Sequence, residues 1–158
     1  MSLAFILDTD IGTDVDDALA LAFALRHPGL ELRAVTTVSG DAVQRARVAK
    51  KLLLLAGRDD IPVAAGLSSD PRQGGRNVEM GHEGEGLLET GEELPISSSN
   101  GVSLLLEECA ARRYEVATIG MQSNVAAALE RDASFAQHVH RLVVHGQEVM
   151  SSAQVVGT

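Results

Sequence analysis

The chain has 158 residues, a net charge of -9 at pH 7 and a hydrophobic fraction of 45%. This length suits one domain, residues 1–158, with a substantial buried core, and the composition is ordinary for a globular protein. Nucleic acid and anionic membranes are disfavoured as partners, because both attract basic patches. A metal ion or a small neutral or cationic molecule fits this charge better.

Along the chain, short apolar runs alternate with longer stretches of helical periodicity. The predicted strands cover residues 3–8, 31–38, 62–65, 115–119 and 141–145. The predicted helices cover residues 16–26, 42–56, 102–113 and 124–131. This alternation is typical of an α/β fold, with an open and mostly parallel sheet and helices on both faces.

Residue types within these helices give more detailed expectations. Basic side chains of the second helix are expected to face water: Arg45, Arg47, Lys50 and Lys51. Ser98 or Ser99 is a candidate N-cap of the third helix. The single cysteine, Cys109, excludes an internal disulfide, and a buried, unreactive thiol in a reducing, cytoplasmic setting is expected. No signal peptide or membrane span is expected from the apolar runs.

Five aspartates fall within ten residues directly after the apolar run from Leu3 to Leu7: Asp8, Asp10, Asp14, Asp16 and Asp17. Carboxylates this close repel and raise one another's pKa unless a cation lies among them. Calcium and magnesium both bind carboxylate oxygens, and Gly12 lets the backbone bend so that several can converge. The plainer alternative is a solvated loop in which Asp14 or Asp16 caps the next helix, but a cap needs only one aspartate.

Polar clusters also follow the later strands, at residues 39–41, 81–86 and 120–124. In open parallel sheets, ligands bind beyond the carboxyl ends of the strands, so these clusters are expected to face one crevice. Residues 66–99 are rich in Gly, Ser, Pro and charge and show little periodicity. A loop of this length is usually functional or disordered, and we expect it to close over a bound ligand.

The run from Ile6 to Leu21, ILDTDIGTDVDDALAL, resembles the N-terminal signature of the inosine-uridine preferring nucleoside hydrolases. The order continues downstream, because residues 34–41 resemble the family's second strand and turn and residues 62–66 its third strand. Residues 119–126 resemble the fourth strand and its Asn-led helix. The resemblance covers the whole chain but only the front part of the longer family members.

The resemblance implies calcium-dependent hydrolysis of the N-glycosidic bond of ribonucleosides, giving ribose and free base. In that family a calcium ion binds the ribose diol and a water, and an aspartate takes the proton of that water. Carried over by position, Asp10 would be a calcium ligand and the general base, and Asp17 a bidentate ligand. Ile119 would lend its backbone carbonyl to calcium. Asp8 and Asn124 would lie behind these groups and orient them.

The substrate side is less closely matched. Asp16 would face a ribose hydroxyl, but two extra residues after Gly12 leave Asp14 as a competitor. Asp41 stands where many members have Asn, and it could accept but not donate a hydrogen bond. His82 lies where some members have a base-contacting histidine, with a solvated loop histidine as the alternative.

The family's later ribose-binding asparagines, leaving-group histidine and further calcium-binding aspartate have no counterpart before Thr158. Of the histidines near the end, His145 is expected close to the crevice, whereas His138 and His140 are expected at a helix-to-strand junction. A fragment of a longer enzyme and a shortened relative with an incomplete metal site both stay open. Association into a homo-oligomer is a further possibility.

Two other functions compete with this hypothesis. Haloacid dehalogenase-type phosphatases share an Asp-x-Asp motif after the first strand, which would make Asp8 the nucleophile and Asp10 the acid/base, with magnesium. That class needs a downstream lysine, and residues 130–158 contain none. The third reading is a non-catalytic fragment that binds a metal ion or a sugar.

Overall fold

The computed structural model describes residues 2–68, 82–97 and 100–145. Five parallel strands form one sheet in the order β3-β2-β1-β4-β5. The strands are β1 (Leu3–Thr9), β2 (Leu30–Thr37), β3 (Val63–Ala65), β4 (Tyr114–Thr118) and β5 (Val139–Val144). The helices are α1 (Asp16–Arg26), α2 (Ala42–Leu55), α3 (Gly101–Ala111), α4 (Ser123–Arg131) and α5 (Phe135–His138). The predicted α/β fold is confirmed.

The sheet separates two apolar cores, because successive side chains of a strand point to opposite faces. Leu7 of β1 packs with Leu21 of α1 and Leu53 of α2 on one face. Its neighbour Ile6 packs with Leu105 of α3 and other buried side chains on the opposite face. Each fully buried leucine stabilises the fold by roughly 1.5–3 kcal/mol. These cores hold the carboxyl ends of the strands side by side.

β1 lies at the centre of the sheet, between β2 and β4. Its residue Asp8 is in register with Thr36 of β2 and Thr118 of β4. The main chain continues this pairing past the strand ends, where Ile119 N donates to Asp8 O at 2.8 Å and Val38 N donates to Thr9 O at 3.1 Å. The loops that follow these three strands therefore begin next to one another.

The prediction that the basic side chains of α2 face water is wrong for two of them. Arg45 is 2% exposed and Lys50 is 3% exposed. Lys50 Nζ donates to the backbone oxygens of Asp59 (2.7 Å) and Ile61 (3.2 Å), and buried charge is tolerated only with such partners. Both residues lie on the same helical stripe as the buried alanines of α2, at the spacing of a core-facing surface.

The helix caps also differ from expectation. The N-cap of α1 is Val15, which makes no side-chain cap bond, so neither Asp14 nor Asp16 caps this helix. The N-cap of α3 is Asn100, whose Oδ1 accepts from Ser103 N at 2.9 Å. Ser98 and Ser99 lie outside the described residues. Asp14 and Asp16 therefore keep their carboxylates for other contacts.

Part of the long segment after β3 is described, as residues 82–97. Leu87, Leu88 and Ile96 pack against the core on the α2 side of the sheet. Glu92 forms an ion pair with Lys51, and its backbone oxygen accepts from Arg47 Nη2 at 2.9 Å. Residues 82–97 are thus anchored along α2. No helix in the described part of the chain has the length and apolar character to cross a membrane.

Candidate active site

An open cavity of about 300 Å³ lies at the carboxyl end of the sheet. It is lined by Asp10, Thr13, Asp14, Asp16, Asp17, Ser39, Arg45, Ile119 and His145. These residues come from the segments that follow β1, β2, β4 and β5 and from α2. Four of the five clustered aspartates line the cavity, which makes it strongly acidic.

The fifth aspartate, Asp8, is fully buried behind the cavity. Its Oδ1 accepts hydrogen bonds from Thr36 Oγ1 at 2.5 Å and from Asn124 Nδ2 at 2.7 Å. Its Oδ2 has no hydrogen-bond partner among the described residues. Burial raises the pKa of Asp8 to about 7, the two hydrogen bonds oppose the rise, and the charge of Asp10 adds to it.

Asn124 connects this carboxyl to two further strand ends. Besides Asp8, its Nδ2 donates to Thr37 O at 3.0 Å, and its Oδ1 accepts from Leu67 N at 2.9 Å. The side chain is fully buried at the start of α4. It therefore fixes the ends of β1, β2 and β3 relative to one another, behind the cavity rather than in it.

Asp17 and Asp10 both line the cavity and lie close enough for the charge of Asp10 to act on Asp17. Thr9 Oγ1 donates to Asp17 Oδ2 at 2.5 Å. Burial raises the pKa of Asp17, the Thr9 hydrogen bond lowers it, and the nearby Asp10 raises it again. Because the charge of Asp10 disfavours the charged form of Asp17, a cation beside the two carboxyls would stabilise that charged form.

Asp14 and Asp16 both line the cavity, and both are exposed. Asp16 opens α1 directly, and Asp14 lies one residue before the cap. The fold thus brings both carboxylates to the same acidic opening.

Gly120 allows the segment after β4 to approach the Asp10 backbone. A Cβ at Gly120 would lie 2.8 Å from Asp10 N, 2.9 Å from Val38 Cγ1 and 3.1 Å from Asp10 Cγ. Any larger residue would push against Asp10. Ile119, the residue before it, lines the cavity together with Asp10 and Asp17.

Arg45 is the residue of this site that sequence reasoning missed. Its Nε donates to Ser39 O at 2.9 Å and its Nη1 to Ile11 O at 3.1 Å, with a further bond to Asp10 O. Ser39 has a positive φ of 74°, a left-handed conformation that is uncommon outside glycine. The helical spacing of Arg45 from Ala42 and Ala49, both buried, was the available signal for its burial.

Two predicted substrate residues lie outside the cavity lining. Asp41 is exposed at the start of α2, where its carboxylate accepts from Gln44 N at 2.9 Å as the N-cap. His82 is exposed, and its Nε2 donates to Thr13 O at 3.2 Å. Thr13 itself lines the cavity, so His82 lies at its margin.

Of the three histidines near the end of the described chain, His145 alone lines the cavity. Its backbone N donates to Thr118 O at 2.8 Å, which continues the pairing of β5 with β4. His138 ends α5 and His140 lies in β5, as expected for a helix-to-strand junction. His140 contributes to a separate apolar groove on the α4 side.

The donor atoms in this cavity suit a hard divalent cation but supply only part of its shell. Asp10, Asp17 and Ile119 all line the cavity, and oxygen, which carboxylates provide, is the ligand atom that calcium prefers. Within residues 2–68, 82–97 and 100–145, no three His, Cys, Asp or Glu side chains form a metal-binding cluster. Calcium takes about six to eight oxygens, so ligand oxygens or other groups would have to complete the shell.

Comparison with known proteins identifies relatives along nearly all of the chain. Uridine nucleosidase 1 of Arabidopsis thaliana is 35% identical, over 95% of this chain and 46% of its own length. The pyrimidine-specific ribonucleoside hydrolase RihA of Salmonella paratyphi B is 32% identical, over 92% of this chain and 49% of its own length. The chain thus spans about half the length of these relatives.

Solved structures of nucleoside hydrolases resemble this chain in fold. A plant nucleoside hydrolase, the PpNRh1 enzyme, superposes with a TM-score of 0.75 at 30% identity, over 91% of this chain and 48% of that one. A purine-preferring ribonucleoside hydrolase from Gardnerella vaginalis superposes with a TM-score of 0.76 at 25% identity, over 92% of this chain and 49% of that one. The family model described as inosine-uridine preferring nucleoside hydrolase matches residues 5–154, and the chain belongs to that family.

Proposed function

We propose that this protein hydrolyses the N-glycosidic bond of ribonucleosides, releasing ribose and free base in a calcium-dependent reaction. The observation that carries the proposal is the acidic cavity lined by Asp10, Asp17 and Ile119, in a chain of this family. Family membership favours this reaction over the phosphatase chemistry that the Asp8-x-Asp10 pattern also allows. A non-catalytic binding role is the alternative that the experiment below must exclude.

The acidic lining suits the charge that develops in this reaction. Breaking an N-glycosidic bond builds positive charge on the anomeric carbon, as in other glycoside hydrolyses. Carboxylates fixed around that carbon stabilise the transition state more than the neutral substrate. Asp10, at the end of β1, would accept the proton of the attacking water as general base.

Asp10, Asp17 and the Ile119 carbonyl would hold the calcium ion. When bound, the ion would supply positive charge that lowers the pKa of the attacking water. It would also offer a binding position for the 2- and 3-hydroxyls of ribose. Asp8 and Asn124 would orient the end of β1 from behind, through the hydrogen bond between them. Their part is to hold Asp10 in place rather than to contact substrate.

The ribose would be recognised at the exposed side of the cavity. Asp16 would accept a hydrogen bond from a ribose hydroxyl, with Asp14 as the competing residue. Asp41 and His82 lie farther out, at the start of α2 and beside Thr13. They would contact a bound nucleoside only if it extended beyond the cavity or if the segment around His82 closed over it.

Closure of the segment 66–99 over bound nucleoside is part of the same proposal. Residues 82–97 pack along α2 and reach the cavity margin through the bond from His82 to Thr13. Limited proteolysis within this segment should slow when nucleoside and calcium are added. Equal cleavage rates with and without ligand would count against closure.

The remaining proposals concern location and association. A reducing cytoplasm suits the buried, unpaired Cys109, whose thiol pKa is raised to about 11 by burial.

Exposed apolar side chains on α1, among them Leu19 and Phe23, favour association of copies. Sedimentation velocity over a range of concentrations measures this, and a single monomer species throughout would contradict it.

A proton NMR time course tests the reaction directly. The chain is incubated with calcium, uridine, inosine and a phosphomonoester in one tube, and in a second tube with a chelator instead of calcium. Free ribose and base that appear only with calcium support the proposal. Release of alcohol from the phosphomonoester supports the phosphatase instead. Absence of any product, both here and in a version extended to the length of the relatives, overturns the proposal.

A further inference from the structure

We propose that Arg45 is the positioning residue of this site, and that it acts by holding the backbone that carries Asp10. Its consequence for catalysis rests on the proposed function. Its contacts can be tested without catalysis, because they concern the shape of the cavity before any ligand binds.

Arg45 joins two separate loops that line the cavity. Its Nη1 donates to the backbone oxygens of Asp10 and Ile11, in the loop after β1. Its Nε donates to Ser39 O at 2.9 Å, in the left-handed turn after β2. One side chain therefore fixes the distance between the two loops.

A third segment is tied to the same guanidinium. Arg45 Nη2 lies 3.4 Å from Glu83 Oε1, and both side chains are buried. Glu83 Oε1 also accepts from Thr13 Oγ1 at 3.3 Å, and its backbone oxygen accepts from Gln44 Nε2 at 3.0 Å. Residues 82–97 are thus connected to the acidic loop through this ion pair.

The chemistry of arginine explains why this residue type suits the position. A guanidinium presents five donors in a planar fork and stays charged, so it can bind several oxygens in different directions at once. Each of its three nitrogens here donates to a protein oxygen, and the side chain is 2% exposed. All three nitrogens of Arg45 therefore hold protein oxygens of the segments around the cavity, which is the contact pattern of a positioning residue.

Lys50 provides a matched control on the same helix. It is also a buried cation that donates to two backbone oxygens, those of Asp59 and Ile61, away from the cavity. Loss of either cation removes buried charge and hydrogen bonds from α2. A general destabilisation should thus be similar in the two variants, whereas loss of loop positioning should be specific to Arg45.

Amide hydrogen exchange, without metal or nucleoside, measures the positioning. We compare wild type with Arg45→Met, Arg45→Lys and Lys50→Met. In Arg45→Met, amides of residues 11–13 and 39–40 should exchange at least about tenfold faster, because three charge-assisted bonds to their loops are lost. Lys50→Met should leave those amides unchanged and accelerate exchange around residues 59–61. Arg45→Lys, which keeps the charge but not the fork, should be intermediate.

Two further readouts connect the loop to the site. Calcium alone, titrated by calorimetry, should bind about tenfold more weakly to Arg45→Met and unchanged to Lys50→Met. For any nucleoside that the wild type hydrolyses, kcat should fall in Arg45→Met far more than KM rises, as expected for misplacement of Asp10.

Equal acceleration of residues 11–13 and 39–40 in Arg45→Met and Lys50→Met would overturn the proposal, because Arg45 would then only stabilise the fold. If Arg45→Met does not fold, Arg45→Lys decides the same point through its exchange pattern. A wild type without hydrolysis would remove the proposed function alone, since the exchange comparison still confirms or rejects the role of Arg45.

Discussion

The end of β1 and the loop that follows it contain the same residue type in opposite environments. Asp8 is fully buried, bonded to Thr36 and Asn124, and its pKa is raised to about 7. Asp10, two residues later, lines the open cavity. Position along the chain therefore determines the environment of each carboxyl. Asp8 lies in a central strand between β2 and β4, whereas Asp10 lies beyond the end of that strand. One carboxyl serves the geometry of the sheet and the other is available for chemistry.

The sharpest way to test this difference is to remove the charge of Asp10. Asp10→Asn should lower kcat for nucleoside hydrolysis by about 100-fold to 10,000-fold, because a general base contributes about that factor. Steady-state kinetics with calcium present provides the measurement. Asp60→Asn, which changes an exposed aspartate paired with Arg58, is the matched control and should keep wild-type rates. Normal turnover in Asp10→Asn would refute the role of Asp10.

A second test moves Asp10 without altering any carboxyl. In Gly120→Ala the new Cβ would press on Asp10 N and Cγ, so kcat should fall by at least about tenfold while the protein stays folded. Gly29→Ala is the control, because its Cβ would meet only the exposed ring of His27. Equal kinetics for Gly120→Ala and Gly29→Ala would show that this close approach is not needed.

The ionisation of buried Asp8 should affect how the free energy of unfolding depends on pH. Because the pKa of Asp8 is raised in the folded state, the protonated form contributes stability that is complete below pH 4 and is lost as pH rises towards about 7. In chelator, Asp8→Asn should unfold in urea with a smaller decline in stability between pH 4 and 7 than wild type. An unchanged decline would mean that Asp8 does not titrate in this range.

A smaller change in stability is expected when the hydroxyl of Thr36, which donates to Asp8, is removed. Thr36→Val removes the bond to Asp8 Oδ1 and should cost about 1–3 kcal/mol, more at pH 8 than at pH 4 because the bond favours the charged carboxyl. Thr37→Val is the matched neighbour, since its hydroxyl donates at 2.6 Å to the neutral backbone oxygen of Ala42. Its cost should not depend on pH. Parallel pH profiles for the two variants would contradict the assignment.

Much of the fold was predictable because local pattern and tertiary structure agree. The alternation of apolar strands with helices predicts the parallel sheet. The bounds of the predicted strands 3–8 and 31–38 differ by one residue from those of β1 and β2. The acidic loop was predictable because five aspartates in ten residues have few physical explanations. The short α5 was not predicted, since a single helical turn carries too little periodicity.

Contacts between distant segments set the limits of prediction at the site. Arg45 was predicted to be exposed because arginine side chains usually face water. Its position on the buried stripe of α2 determines its environment instead, and its oxygen partners come from three other segments. Asp41 and His82 were expected near substrate by order along the chain, whereas the structure places one at a helix start and the other at the cavity margin. Their roles in binding stay predictions.

The side chain of Asn124 also has a consequence for the order of folding. It bonds to Asp8, Thr37 and Leu67, which precede it in sequence by 116, 87 and 57 residues. Contacts of such long range close large loops and form only once the intervening chain has been arranged. During synthesis the acidic loop therefore emerges long before Asn124 can bond to it. We therefore expect the bonds of Asn124 behind Asp10 to form late in folding, after α4 has docked.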